Sequence, residues 1–163
     1  VFASEDCPSG WPSGWPSGWQ GSLLALGDPE FDRSFARVER IWLDDETWLD
    51  HRPGWLEGSD LVMAELVARV PWAQRRVPMY ERVLDEPRLV WWWSETGGGD
   101  EAVLLPVLQE IRHALSRHYG RHFDSIGLNL YRDGHDSVAW HSDRVRFQQE
   151  TPIIAIVSVG VPR

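Results

Sequence analysis

Two helical patterns followed by extended ones predict an α+β fold with a β-sandwich or barrel core. Apolar residues recur at helical spacing across Leu61, Val62, Leu66, Val67 and Val70, and again across Val107, Leu108, Ile111 and Leu115. Past Gly120 the period drops to two, with Ile126, Leu128 and Leu130 alternating with Gly127, Asn129 and Tyr131. A continuous apolar run from Ile153 to Val159 then reads as a strand covered on both faces.

In chain order, the first element is a tandem repeat of Pro-Ser-Gly-Trp, with copies ending at Trp11, Trp15 and Trp19. Gly and Ser resist ordering and Pro blocks regular hydrogen bonding, so residues 1–34 are expected to form a disordered tail with exposed indoles. A single folded domain is expected over residues 35–163. It opens near Phe35 with the apolar segment Val38, Ile41, Trp42 and Leu43, ahead of an acidic turn at Asp44-Asp45-Glu46. Asp60 is the expected cap of the first helix and Pro71 its stop. Arg88 to Ser94 reads as a Trp-rich strand, and Gly97 to Gly99 as the turn after it. Pro106 opens the second helix and Gly120 closes it. Asp133-Gly134 makes a turn after the alternating strand, and Ser137 to Asp143 is expected to be extended again.

At 163 residues, with 42% hydrophobic and 12% aromatic content, the chain has the material for one sizeable core. No stretch reaches the roughly 18 consecutive apolar residues of a membrane helix, and no signal-peptide pattern opens the sequence, so a soluble cytoplasmic protein is expected. The single cysteine, Cys7, leaves no internal disulfide and no cysteine-rich zinc site. Any metal must then be held by His and carboxylates. A formal charge of −9 argues against a domain that grips phosphates with its whole surface. Local cationic pairs exist at Arg75-Arg76 and at Arg144 with Arg146, although such pairs are commonly solvated surface.

The most informative triplet is His141-Ser142-Asp143. On an extended chain residues two apart share a face, so an imidazole and a carboxylate converge. Non-heme iron(II) oxygenases use two His and one carboxylate on one side of the metal, which leaves open positions for a cosubstrate and dioxygen. His-x-Asp alone is weak, since His141 could equally be an ordinary hydrogen-bonded histidine. The wider context is more specific. Asn129-Leu130-Tyr131 precedes the Gly134 turn, Trp140 precedes His141, and a strand led by Pro152 ends in Ser158-Val159-Gly160.

These four features, in this order, resemble the core of the AlkB-like, iron(II)- and 2-oxoglutarate-dependent dioxygenases. The resemblance is firm over residues 125–163 and looser around Pro78-Met79-Tyr80 and Pro87 to Trp91. It implies a double-stranded β-helix, or jelly roll, with N-terminal helices packed around it. It further implies that His141 and Asp143 bind Fe(II) and that Asn129 and Tyr131 hydrogen-bond 2-oxoglutarate. An amide and a phenol on one strand face suit a dicarboxylate, although without the following motif a satisfied amide and a core Tyr would be the simpler reading. Alkylated DNA or RNA is the implied partner. A flipped base would stack on Tyr80 or on a Trp between Trp91 and Trp93, Trp91 foremost, although such aromatics are more often core. Where many family members carry further acidic residues after His-x-Asp, this chain has Arg144-Val145-Arg146, so Arg144 is expected to alter base recognition or to contact phosphate.

The family's second His and its carboxylate-pairing Arg come further downstream than Arg163, which stands too early to be that anchor. The jelly roll is therefore expected to be incomplete at the C-terminus, and the chain to be inactive and aggregation-prone on its own. None of His51, His113, His118, His122 and His135 matches the distal ligand, and His113, His118 and His122 read as surface residues. Rival readings are a non-catalytic nucleic-acid or protein-binding module, a zinc hydrolase, or a pseudogene fragment.

Overall fold

The computed structural model describes residues 27–79, 82–139 and 152–161. Its elements run β1 (Glu30–Phe31), β2 (Glu39–Trp42), β3 (Trp48–His51), β4 (Leu56–Glu57), α1 (Ser59–Arg69), β5 (Arg76–Met79), β6 (Arg82–Asp85), β7 (Leu89–Ser94), α2 (Pro106–Tyr119) and β8 (Ser125–Leu130). The α+β class holds. Among the described residues the strands form four separate antiparallel pairs, β1 with β4, β2 with β3, β5 with β6 and β7 with β8, and no closed jelly roll.

The two helices bury the stripes that their spacing requires. Val62 and Leu66 are four residues apart on α1, and with Val70 they meet Ile111 and Ala114 of α2, together with Phe31, Leu56 and Leu105. Phe31 belongs to this core although it lies upstream of Phe35, because β1 pairs with β4 and Phe31 packs on Trp55 at 5.1 Å. Pro106 sits at the start of α2 and Gly120 closes it, as the sequence suggests.

The start of α1 differs from expectation. Asp60 lies in the first turn, and the cap position belongs to Gly58 at φ 63°. A Cβ on Gly58 would stand 2.4 Å from the Gly27 carbonyl oxygen, so both the backbone angle and the close approach require glycine. Gly58→Ala is expected to cost about 1–3 kcal/mol, read as a lowered thermal midpoint.

The apolar run Ile153–Val159 also departs from expectation. It lies in no strand, and Ile154 and Ile156 are exposed. A strand needs a neighbour to hydrogen-bond, and none pairs with it among the described residues. Val159 alone of this run packs against the core. Ser137 to Ala139, the described part of the next expected strand, likewise lie in no strand, and residues 140–143 lie outside the described residues.

The β2–β3 hairpin is tied to the end of α2. Arg40 donates two hydrogen bonds to the Asp50 carboxylate across the hairpin, at 2.7 and 2.8 Å, and the Tyr119 hydroxyl donates to the same carboxylate at 3.0 Å. Trp48 stacks on Tyr119 at 5.7 Å. Burial, and then the bond to Asp50, push the Tyr119 phenol up to about 12. Because the folded chain keeps this proton after the unfolded chain has lost it, the stabilisation is complete below about pH 10 and is lost between pH 10 and 12. An ultraviolet titration should find one phenol ionising near pH 12, and Tyr119→Phe should remove it.

Candidate functional site

β7 and β8 build the surface on which the candidate residues stand. Six residues pair antiparallel, from Leu89 opposite Leu130 to Ser94 opposite Ser125. Residues directly opposite share a face, so Trp91 with Leu128 and Trp93 with Ile126 lie on one side, and Val90 with Asn129 and Trp92 with Gly127 on the other. The first side belongs to the core: Trp93 is 5% exposed, and Trp91 and Leu128 pack against the buried cluster. The second side is open. Asn129 and Trp92 are both exposed.

Trp92 lies across Gly127, where a Cβ would come within 2.9 Å of the indole ring. Gly127 is therefore what leaves room for the indole on the face that carries Asn129. The three consecutive Trp residues are chemically identical in sequence. Only the register against Gly127 distinguishes Trp92, on Asn129's face, from Trp91, which is held in the core.

Tyr131 follows directly after β8 and is half-buried. The chain then turns through Asp133-Gly134, as the sequence suggests. The turn is held by a clamp. Asp136 is 6% exposed and accepts from the Arg132 backbone N–H at 2.8 Å, from Nε at 2.7 Å and from Nη2 at 2.8 Å. The carboxylate in turn holds the Arg132 guanidinium above its ordinary pKa. The Ser137 N–H donates to the Pro87 carbonyl at 2.7 Å, which ties the exit of the turn to the start of β7. In the sequence the only trace of this clamp is an Arg-x-x-x-Asp spacing around a Gly turn. His141, Asp143, Arg144 and Tyr80 lie outside the described residues. Among the described residues, no three of His, Cys, Asp and Glu converge as a metal site.

The histidines expected at the surface are exposed, each beside a neighbour: His113 at Arg112, His118 stacked on Phe35 at 3.9 Å, and His122 donating to Glu95 at 2.6 Å. Glu95 also accepts from Arg112, and the bonds from His122 and then Arg112 keep its carboxyl below the usual range. The polar depression lined by Glu95, Glu101 and Arg112 lies at the Ser94 end of β7, the far end from Asn129. Glu95 pairs with Arg112, and Glu101 accepts from the Gln109 side chain at 3.1 Å, which makes it a structural junction.

No family model matches the chain. It is 32% identical over 120 residues to the human protein named alpha-ketoglutarate-dependent dioxygenase alkB homolog 3, an alignment covering 68% of this chain and 42% of the relative. The bovine protein of the same name is 33% identical over 115 residues, covering 66% of this chain and 40% of the relative. A protein of Arabidopsis thaliana named DNA oxidative demethylase ALKBH2 is 42% identical over 60 residues, 36% of this chain and 19% of that one. The chain thus spans about two-fifths of the length of the alkB homolog 3 relatives it matches. It is a member of the AlkB-like family of 2-oxoglutarate-dependent dioxygenases.

Proposed function

We propose that this chain carries the cosubstrate-binding strand and two metal ligands of an enzyme that oxidatively dealkylates N-alkylated nucleobases. The observation that carries the reading is β8. It packs Leu128 against the core and turns Asn129 outward, with Tyr131 just after it, immediately before the turn that leads to His141 and Asp143. The names of the human and Arabidopsis relatives support the cosubstrate and the nucleic-acid substrate.

The residues fit the groups assigned to them. An exposed amide and a phenol supply hydrogen-bond donors for a dicarboxylate, and a neutral imidazole with a carboxylate two residues later is a donor set suited to Fe(II). In this reading His141 and Asp143 hold the iron, and Asn129 and Tyr131 orient 2-oxoglutarate. Iron(II), 2-oxoglutarate and dioxygen together supply the oxidation, in which the cosubstrate becomes succinate and carbon dioxide and the alkyl carbon leaves as formaldehyde. The clamp at Arg132 and Asp136 fixes the turn that follows the cosubstrate strand. Arg144 contacts backbone phosphate, and Tyr80 or the exposed Trp92 offers a stacking face for the extruded base. The complete fold is a jelly roll whose further strands face the open side of β7 and β8.

The test, in a protein that spans the full length of its relatives, is succinate formation from 2-oxoglutarate with an N-methylated oligonucleotide, iron(II) and air. Asn129→Ala is expected to raise the KM for 2-oxoglutarate about 10- to 100-fold, the worth of a hydrogen bond to a charged group, with a smaller change in kcat. An unchanged KM would remove Asn129 from the cosubstrate site. Turnover that ignores 2-oxoglutarate and persists with zinc would favour a hydrolase.

A further inference from the structure

The β2–β3 hairpin has two faces with different fates. Arg40, Trp48 and Asp50 form the inner face: Trp48 and Asp50 lock onto Tyr119, and Arg40 lies 4.1 Å over Trp48. On the outer face Ile41 stands directly opposite Leu49, and Leu43 follows two residues on. These side chains are 44%, 50% and 65% exposed, while Trp42, opposite Trp48, belongs to the inner face. Three aliphatics together on a rigid, anchored hairpin are more than scattered surface apolarity.

Around this patch stand Glu39, Asp44, Asp45 and Glu46, all exposed. Asp44 accepts from the backbone N–H groups of Glu46 and Thr47, at 2.9 and 2.6 Å, so it holds the turn. Charge selects among the possible occupants. Four carboxylates repel nucleic-acid phosphates. A second copy would bring the same acidic rim on a chain of formal charge −9. Residues 1–26 contain Glu5 and Asp6 and no Arg, Lys or His, so the Trp-rich N-terminal segment offers no complementary charge.

We propose that the outer face of the β2–β3 hairpin docks a basic amphipathic segment of a partner protein, with Ile41, Leu43 and Leu49 taking its apolar side chains and the acidic rim its Arg or Lys residues. Apolar contact supplies the affinity, and the rim supplies selection and a salt-dependent encounter.

The experiment is fluorescence anisotropy of the full chain with a labelled synthetic helix carrying Leu on one face and Arg on the other, beside a version with Glu in place of Arg. The Arg peptide is expected to bind and to weaken as salt rises, and the Glu peptide to bind at least about tenfold more weakly. Ile41→Ser with Leu49→Ser is expected to reduce affinity at least about tenfold. So is Glu39→Gln with Asp45→Asn and Glu46→Gln, which leaves the apolar side chains and Asp44 in place and decides the matter if the serine variant does not fold. Equal binding of both peptides, no binding of the Arg peptide, or full-strength binding by the folded variants would overturn the proposal. The readout is independent of the oxidation chemistry, so its failure would leave the dioxygenase reading untouched.

Discussion

In a protein that spans the full length of its relatives, replacing His141 by alanine is expected to lower iron-dependent succinate formation by more than roughly a hundredfold. The size of the effect follows from how metal sites respond to change: loss of a group that merely orients a ligand costs 10- to 100-fold in metal affinity or activity, so loss of a ligand costs more. Asp143→Ala should do the same, because in the proposed site the imidazole and the carboxylate share one ion. His122→Ala is the matched control. That imidazole is exposed and bonded to Glu95, at the far end of β7 and β8 from Asn129, and its loss should leave turnover unchanged. Comparable losses for both histidines would point to general destabilisation.

The second large effect is on stability. Asp136→Ala removes a buried carboxylate that accepts three hydrogen bonds from Arg132, and it is expected to cost about 2–3 kcal/mol, measured as a lower urea midpoint. A fully buried pair would be worth more, but the Arg132 side chain is 40% exposed and water partly replaces its partner. Asp136→Asn keeps the shape and one acceptor oxygen, so a smaller loss is expected. No change in midpoint for either variant would mean that the turn is held by Asp133 and the Ser137–Pro87 bond alone.

Much of this fold was legible because its cause is local. Helices α1 and α2 follow from apolar spacing, with Pro106 and Gly120 marking the ends of α2. β8 follows from strict alternation, which also gave the correct parity of Asn129 against Leu128. The β5–β6 hairpin was not legible: its exposed Arg, Pro and Asp residues carry no burial pattern, and backbone pairing alone defines it. The cap of α1 escaped because Gly58 is required by the approach of Gly27, a contact between residues thirty-one positions apart. Ile153–Val159 misled because composition can announce a strand without providing its neighbour. Within the site, the choice between Trp91 and Trp92 depends on a register that no local pattern contains.

In the proposed site the open face of β8 receives 2-oxoglutarate beside a metal held by His141 and Asp143. The most direct measurement is calorimetric titration of 2-oxoglutarate under anaerobic conditions, with and without iron(II), into a protein that spans the full length of its relatives and into its Asn129→Ala and His141→Ala variants. Metal-dependent binding that weakens at least about tenfold in both variants is the predicted result. Binding that neither iron nor either substitution alters would contradict it.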